Sequence, residues 1–234
     1  TGPYIDRLQA SGVRLRGRMT DGALDLGQVS RLLEGGTGEP TLPDWTVVIE
    51  DAQAQIDSDY GPIELGLDGR GKLSSGFGGR LNLAAPGLAF GDCRLRTLRA
   101  PLDLSTEKGE IHFKGPVAAR SLQCPNADFS LTAPELDLNI RTSVVLEPLG
   151  GAISLEAPAA VQAARRLDGL SGLVTFSGKD GELRGSASIA AVSAVADGLE
   201  SDAAKLGGNF VVRLGDRDRA LAWQGVATLE NARP

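Results

Sequence analysis

The sequence predicts an all-β chain, mainly a long antiparallel meander forming a curved, groove-like sheet with one or two short helices. Three observations predict it. Five alternating apolar/polar runs turn on a short Gly- or Asp-containing loop and return in matching register. Taking each turn as centre sets apolar opposite apolar: Met19/Leu24, Leu73/Phe77 with Leu67/Leu83, Leu104/Ile111 with Leu102/Phe113, Phe176/Leu183, and Leu214/Leu221 with Val212/Trp223. The polar faces obey the same registers, with Arg18 opposite Asp25, Asp103 opposite His112 and Thr175 opposite Arg184. Such cross-strand pairs contribute a few tenths to about 1 kcal/mol each. A one-residue slip would turn every apolar side chain to the wrong face, so agreement on both faces supports the registers.

In chain order, residues 1 to 12 read as the end of a previous element and 13 to 26 as the first hairpin. Gln28 to Glu34 is the best helix candidate, with Val29, Leu32 and Leu33 on one side and Gly35-Gly36 ending it. Gly35 to Asp44, with Gly38, Pro40 and Pro43, reads as a connector. Strands are expected at 46–57, 62–73, 77–84, 88–104, 110–119, 121–132 and 135–147. Ala-Pro pairs recur at 85–86, 100–101, 133–134 and 157–158. Proline cannot donate to a ladder, so these should mark strand entries, bulges or edges where the sheet bends.

Ala157 to Leu167 has helix-favouring composition with Pro158 suited to a first turn, yet the flanking strands make an extended reading nearly as good. Strand pairs follow at 170–177/182–190 and 209–214/220–230, and Ala191 to Ala204 reads as a strand then a loop. The chain divides into 1–44 (strand pair, short helix, connector), 45–150 and 151–234, the last two as successive groove segments. It lacks an initiating Met and reads as a segment of a longer polypeptide.

Of 234 residues, 41% are hydrophobic but only 4% aromatic, so the apolar side chains are Leu, Val, Ile and Ala. The 31 glycines recur inside strand patterns, at Gly66, Gly69, Gly71 and Gly79, where they suggest bends, bulges or close backbone approach. A net charge of −6 gives no basic patch suited to nucleic acid. No run approaches the ~18 to 20 apolar residues of a transmembrane helix.

Catalytic constellations are sparse. His112, the only histidine, lies between Ile111 and Phe113 and so points to the polar face with Glu110 and Lys114. No GxSxG occurs, and Gly76-Phe77-Gly78-Gly79 is a hairpin turn without the Lys and helix of a phosphate loop. Asp57/Asp59 and Asp216/Asp218 lack calcium-loop spacing, and Asp103 with Asp137 is a generic acidic pair. No enzyme, metal site or cofactor is expected. Cys93 and Cys124 are the only cysteines. In loops or at a bent end they would lie within bridging range, whereas in regular flanking strands about 10 Å would part them. A disulfide and two buried thiols both remain open.

What needs explanation is the apolar face. A sandwich covers such a face with a second sheet, a barrel closes it, and a curved open sheet keeps it for an apolar ligand. The strand pair Arg16 to Leu26, the helix Gln28 to Glu34, the Pro-containing connector, Asp51 to Gly71 and Phe90-Gly91-Asp92-Cys93 together resemble the YdbH branch of the AsmA-like repeating β-groove proteins. The similarity covers most of 13 to 146 and becomes diffuse after about 150. It implies part of an inner-membrane-anchored protein of a Gram-negative envelope, crossing the periplasm, whose hydrophobic groove carries phospholipid towards the outer membrane. The implied partners are phospholipid acyl chains, the inner membrane through a segment not in this chain, and an outer-membrane or periplasmic protein. In that oxidising compartment Cys93 and Cys124 are expected to be bridged.

The expected groove lining is Leu67, Leu73, Leu81, Leu83, Leu102, Leu104, Ile111, Phe113, Val174, Phe176, Leu183, Val212, Leu214, Leu221 and Trp223. The alternative is a structural or adhesive β-sandwich module with no lipid ligand. A dicarboxylate-transport role, attached to some members of the branch, is more remote, since no convergent Arg/Lys pair is visible in the sequence.

Overall fold

A computed structural model describes residues 6–20, 23–25, 41–145, 147–213 and 221–234. Its strands are β1 (Arg7–Ser11), β2 (Arg14–Thr20), β3 (Ala23–Asp25), β4 (Thr46–Ser58), β5 (Gly61–Lys72), β6 (Gly78–Phe90), β7 (Cys93–Glu107), β8 (Glu110–Ala118) and β9 (Ser121–Cys124). The second half supplies β10 (Phe129–Thr132), β11 (Glu135–Thr142), β12 (Leu149–Gln162), β13 (Arg165–Lys179), β14 (Glu182–Ala191), β15 (Ser193–Ala196), β16 (Leu199–Ser201), β17 (Ala203–Arg213) and β18 (Leu221–Glu230). The only helical turn among the described residues is a 3-10 turn at Pro125–Ala127. The expected helix at 28–34 lies outside the described residues.

All eighteen strands belong to one sheet. Side by side run β3, β2 with β1, β4, β5, β6, β7, β8 with β9, β11 with β10, β12, β13, β14 with β15, β17 and β18, which is thirteen positions. At roughly 4.8 Å per step the sheet extends for nearly 60 Å across its strands. Pairing is antiparallel except that β1 and β2 run parallel to β4. The meander is therefore mixed at this end, since parallel neighbours require a crossover rather than a hairpin. Nothing interrupts the sheet near residue 150, where β12 pairs continuously with β11 and β13.

The expected Met19/Leu24 and Arg18/Asp25 pairs occur, but the other registers differ by two residues. Leu67 faces Leu81 and Leu65 faces Leu83; Leu104 faces Phe113 and Thr106 faces Ile111; Phe176 faces Gly185; Val212 faces Leu221 and Phe210 faces Trp223. On the polar side Asp103 faces Lys114, His112 faces Ser105, and Thr175 faces Ser186. The turns explain two of these shifts. Lys108-Gly109 and Asp180-Gly181 hold positive φ (52° and 82°, 54° and 72°), as a two-residue type I′ turn requires. The loop therefore centres on the glycine pair rather than on the midpoint of the apolar residues. A shift of two preserves side-chain parity, so the faces stand.

Several boundaries also differ from expectation. Residues 88–104 divide at Gly91-Asp92 between β6 and β7, and 121–132 divide at Pro125–Ala127 between β9 and β10. Ala157–Leu167 is no helix but the β12–β13 hairpin, turning at Ala163-Ala164: Ala157, Ala159 and Ala160 are buried as β12 is flanked by β10 and β13, and this tertiary pairing overrides helix propensity. Ala191–Ala204 holds an additional hairpin, β15 and β16, turning on Asp197-Gly198 with positive φ at both residues.

The prolines lie where expected. Pro86 falls between the Ala85/Leu98 and Gly87/Arg96 pairs, opposite Thr97 at φ 53°; Pro134 separates β10 from β11; Pro158 lies opposite Gly169 at φ 60°. Pro101 and Pro116 sit where the β7–β8 ladder is interrupted between Arg99 and Asp103. A line of interruptions thus crosses the sheet at Pro86, Thr97, Ala119-Arg120, Ala133-Pro134, Pro158, Gly169 and Val192. Beyond it lies a small leaf made from the ends of β6, β7, β12 and β13 with β9, β10, β15 and β16. Across the line a compact cluster forms around Ala157, Ala160 and Leu170, with Phe129, Leu131, Leu167 and Ile189 against it.

Glycines make room for rings. A Cβ on Gly69 would lie 2.5 Å from Cζ of Phe77 and 2.9 Å from the Gly79 Cα, so the ring of Phe77 covers the two facing glycines and is itself buried. Gly69→Ala is expected to destabilise the protein by about 1–3 kcal/mol through this overpacking. Gly78→Ala, whose Cβ would meet nothing within 4 Å, should stay within about 0.5 kcal/mol of wild type. Urea unfolding of the two variants checks this; equal stabilities would refute the packing role assigned to Phe77.

Candidate functional site: a charge-free sheet face

Following the ladders across the sheet assigns every strand residue to one of two faces. One row runs Ile49, Gly69, Gly79, Leu104, Phe113, Ile140, Gly151, Phe176, Gly185, Phe210, Trp223. The row beside it on the same face carries Leu67, Leu81, Leu102, Leu138, Ile153, Val174 and Ala187. Between them, on the opposite face, run Asp68, Arg80, Asp103, Lys114, Asn139, Ala152, Thr175, Ser186, Asn209 and Gln224.

From β4 to β18, the part of these rows on the Leu104 side of the line of interruptions contains no Asp, Glu, Lys, Arg or His among the described residues, whereas beyond that line the same parity carries Arg94, Arg96, Arg166 and Asp168. Their hydroxyls are engaged at the strand ends. Thr106 Oγ1 accepts from the Phe77 amide at 3.1 Å, Thr142 Oγ1 donates to the Ser143 carbonyl, and Ser58 Oγ donates to the Gly61 carbonyl. Thr106 and Thr142 are buried, as satisfied polar groups can be.

Leu102 on this face is 7% exposed, whereas Leu173 on the other is 50% exposed. A flat single layer would expose both alike, so the apolar face is the concave one. No second sheet covers it among the described residues. Exposure rises towards β18, which pairs only with β17, and Leu221 and Trp223 are exposed there.

Of the residues expected to line a groove, Leu67, Leu81, Leu83, Leu102, Leu104, Ile111, Phe113, Val174, Phe176, Leu183, Val212, Leu221 and Trp223 share this face. Leu73 falls in the turn between β5 and β6, because β5 ends at Lys72. Leu214 lies outside the described residues.

The polar face is paired and ionised. Arg14 Nη2 lies 2.6 Å from Asp51 Oδ2, and this contact holds the Asp51 carboxyl below the usual carboxylate range. Beyond the line of interruptions Arg166 does the same for Asp168, and on the polar face Arg184 with Arg213 does so for Glu182. His112 is here too, in register between Ser105 and Arg141, with Nε2 3.8 Å from Glu110. Asp103 and Asp137 stand two strands apart with β8 between them. Among the described residues no three His, Cys, Asp or Glu side chains form a metal-binding group, and no helix is long and apolar enough to cross a membrane.

Cys93 and Cys124 form a disulfide. No strand separates them, because β9 continues along β7 in the register β8 already holds, bringing Arg94 opposite Gln123 and the cysteines to the next position. Thiol labelling of denatured, unreduced protein should therefore find no free thiol. Replacing both cysteines by serine is expected to remove about 3–4 kcal/mol, given a sequence separation of 31 residues, and the loss is read from denaturant midpoints.

Sequence reasoning missed one cluster. Arg94, Arg96 and Arg120 converge on a recess of about 360 Å³ with Tyr60, Pro86, Leu88 and Leu95. The alternation of Arg94 and Arg96 along β7 was a local signal; the arrival of Arg120 depends on β9 continuing the lane of β8 along β7. No family model, curated protein or solved structure matches this chain.

Proposed function

We propose that this chain is a segment of a hydrophobic β-groove that carries phospholipid through its acyl chains. The observation that carries the reading is the concave face around Leu104, free of charged side chains from β4 to β18 on that side of the line of interruptions and lacking a second layer among the described residues. An acyl chain offers no hydrogen bonds and is held by area, at roughly 25 cal/mol per Å² of apolar surface removed from water. Leucine, isoleucine and phenylalanine with only end-of-strand hydroxyls suit it. A length of nearly 60 Å compares with a hydrocarbon core of about 30 Å for a whole bilayer, so chains could be taken up at several points along the sheet.

The proposed location is the periplasm of a Gram-negative cell, in a protein anchored to the inner membrane through a segment outside this chain. The Cys93–Cys124 bridge supports an oxidising compartment. The resemblance to the YdbH branch adds the direction of the proposal, towards the outer membrane and a partner there.

Delipidated protein mixed with fluorescent phospholipid tests the reading. Wild type should load lipid, and Leu104→Asp or Phe113→Asp should weaken loading several-fold, because an unpaired carboxylate on the path is costly to desolvate. Asp103→Asn and His112→Ala, on the convex face, should load as wild type does. If Leu104→Asp stays folded and loads normally, that side chain lines no lipid path. If it unfolds while wild type binds no lipid, the face belongs to a closed core and a structural or adhesive module gains.

A further inference from the structure

The recess lined by Arg94, Arg96 and Arg120 holds three cations and no carboxylate, in a chain whose net charge is −6. Among the described residues none of the three arginines has an ion-pair partner. The nearest acid in sequence, Asp92, accepts from the Asn126 amide at 2.8 Å. The Arg120 amide donates to the Arg96 carbonyl at 2.8 Å, and the Cys93–Cys124 bridge ties β7 to β9 beside Arg94, so the walls of the recess are fixed by backbone and by a covalent link. Three arginines line this one recess with no carboxylate among them, and the guanidinium fork suits phosphate oxygens.

A second cavity adjoins it. It measures about 660 Å³ and is lined by Tyr60, Ile63, Leu88, Phe90 and Gly91, with no charged residue. Tyr60 and Leu88 line both cavities. They meet where β5 begins at Gly61, so the last residues of β6 extend beyond the β4–β5 turn and the sheet has a local rim. The geometry points to a binding site for a phosphate-headed lipid at this rim, with the phosphate among Arg94, Arg96 and Arg120 and an acyl chain entering the apolar cavity past Tyr60 and Leu88. This rests on the lipid-groove reading and narrows it to lipids bearing an accessible anionic phosphate. A dicarboxylate would satisfy the arginines equally but leaves the adjoining apolar cavity without a role.

Binding of four soluble probes to the full chain tests the site: dioctanoyl phosphatidic acid, dioctanoylglycerol, inorganic phosphate and succinate. Wild type should prefer the phosphatidic acid over dioctanoylglycerol by about 10- to 100-fold, the range expected for charge-assisted hydrogen bonds. The triple substitution R94Q/R96Q/R120Q should abolish that preference and leave dioctanoylglycerol binding unchanged; R120Q alone, expected to reduce it in part, serves if the triple variant melts early. Preference retained in a folded variant overturns the site while leaving the groove intact. Inorganic phosphate or succinate binding as tightly as the phosphatidic acid, with the same arginine dependence, overturns the lipid assignment in favour of a small-anion site. Failure of both lipids to bind removes the groove and this site together.

Discussion

A β-strand alternates its side chains with a period of two, and in this protein strand-to-strand pairing carries one parity along the Leu104 row from β4 to β18. The consequence is collective. A single charged residue at a position in the Leu104 row would break a surface assembled from more than ten strands, whereas the same residue one position along would join Asp103 and Lys114 on the outside. Glycines relieve the crowding that large aliphatic and aromatic side chains would otherwise cause on the concave side, as Phe77 covers Gly69 and Gly79 and Phe210 approaches Gly185. Aromatics at only 4% suffice because they are concentrated at these glycine positions.

The all-β architecture and both faces were legible in the sequence because parity is a local property. Register was less so. Apolar residues such as Leu102, Leu104, Ile111 and Phe113 look alike at two-residue steps, and hydrophobic matching alone cannot separate Leu104/Phe113 from Leu102/Phe113. The decisive information lay in backbone conformation, in the ability of Lys108-Gly109 and Asp180-Gly181 to hold positive φ, and that signal outranks the centring of apolar residues. The parallel pairing of β1 and β2 to β4 was illegible for a different reason: it depends on where a long connection returns the chain.

Long-range placement also hid the arginine recess and the cysteine geometry, and one structural cause accounts for both. The chain interrupts its strands along a line marked by Pro86, Pro134 and Pro158, and beyond that line β9, β10 and β15 take up the lanes of β8, β11 and β14 in unchanged register. β9 meets β7 because the chain stays in the lane of β8 past the interruption at Ala119-Arg120 instead of starting a new strand position. The positive φ at Thr97 belongs to the same line: past it, Leu95 is partly buried while Arg94 and Arg96 are exposed, whereas before it Ala100 and Leu102 are the buried residues. The Ala-Pro repeats were visible, but what they divide was not.

A single curved layer also constrains how a lipid would be held. Inward side chains such as Leu81, Leu83 and Phe113 are partly buried by their own neighbours, so part of their apolar area has already left water before any ligand arrives. Only the remainder is available at roughly 25 cal/mol per Å², and it is spread over many strands rather than gathered in one pocket. The free energy of a bound chain would therefore change little as it moves from one strand to the next, since each step exchanges one set of leucines and glycines for a similar set. Weak, uniform retention suits passage, and a device for selecting a lipid must then lie outside the apolar rows, at a rim where charge is tolerated and water is near.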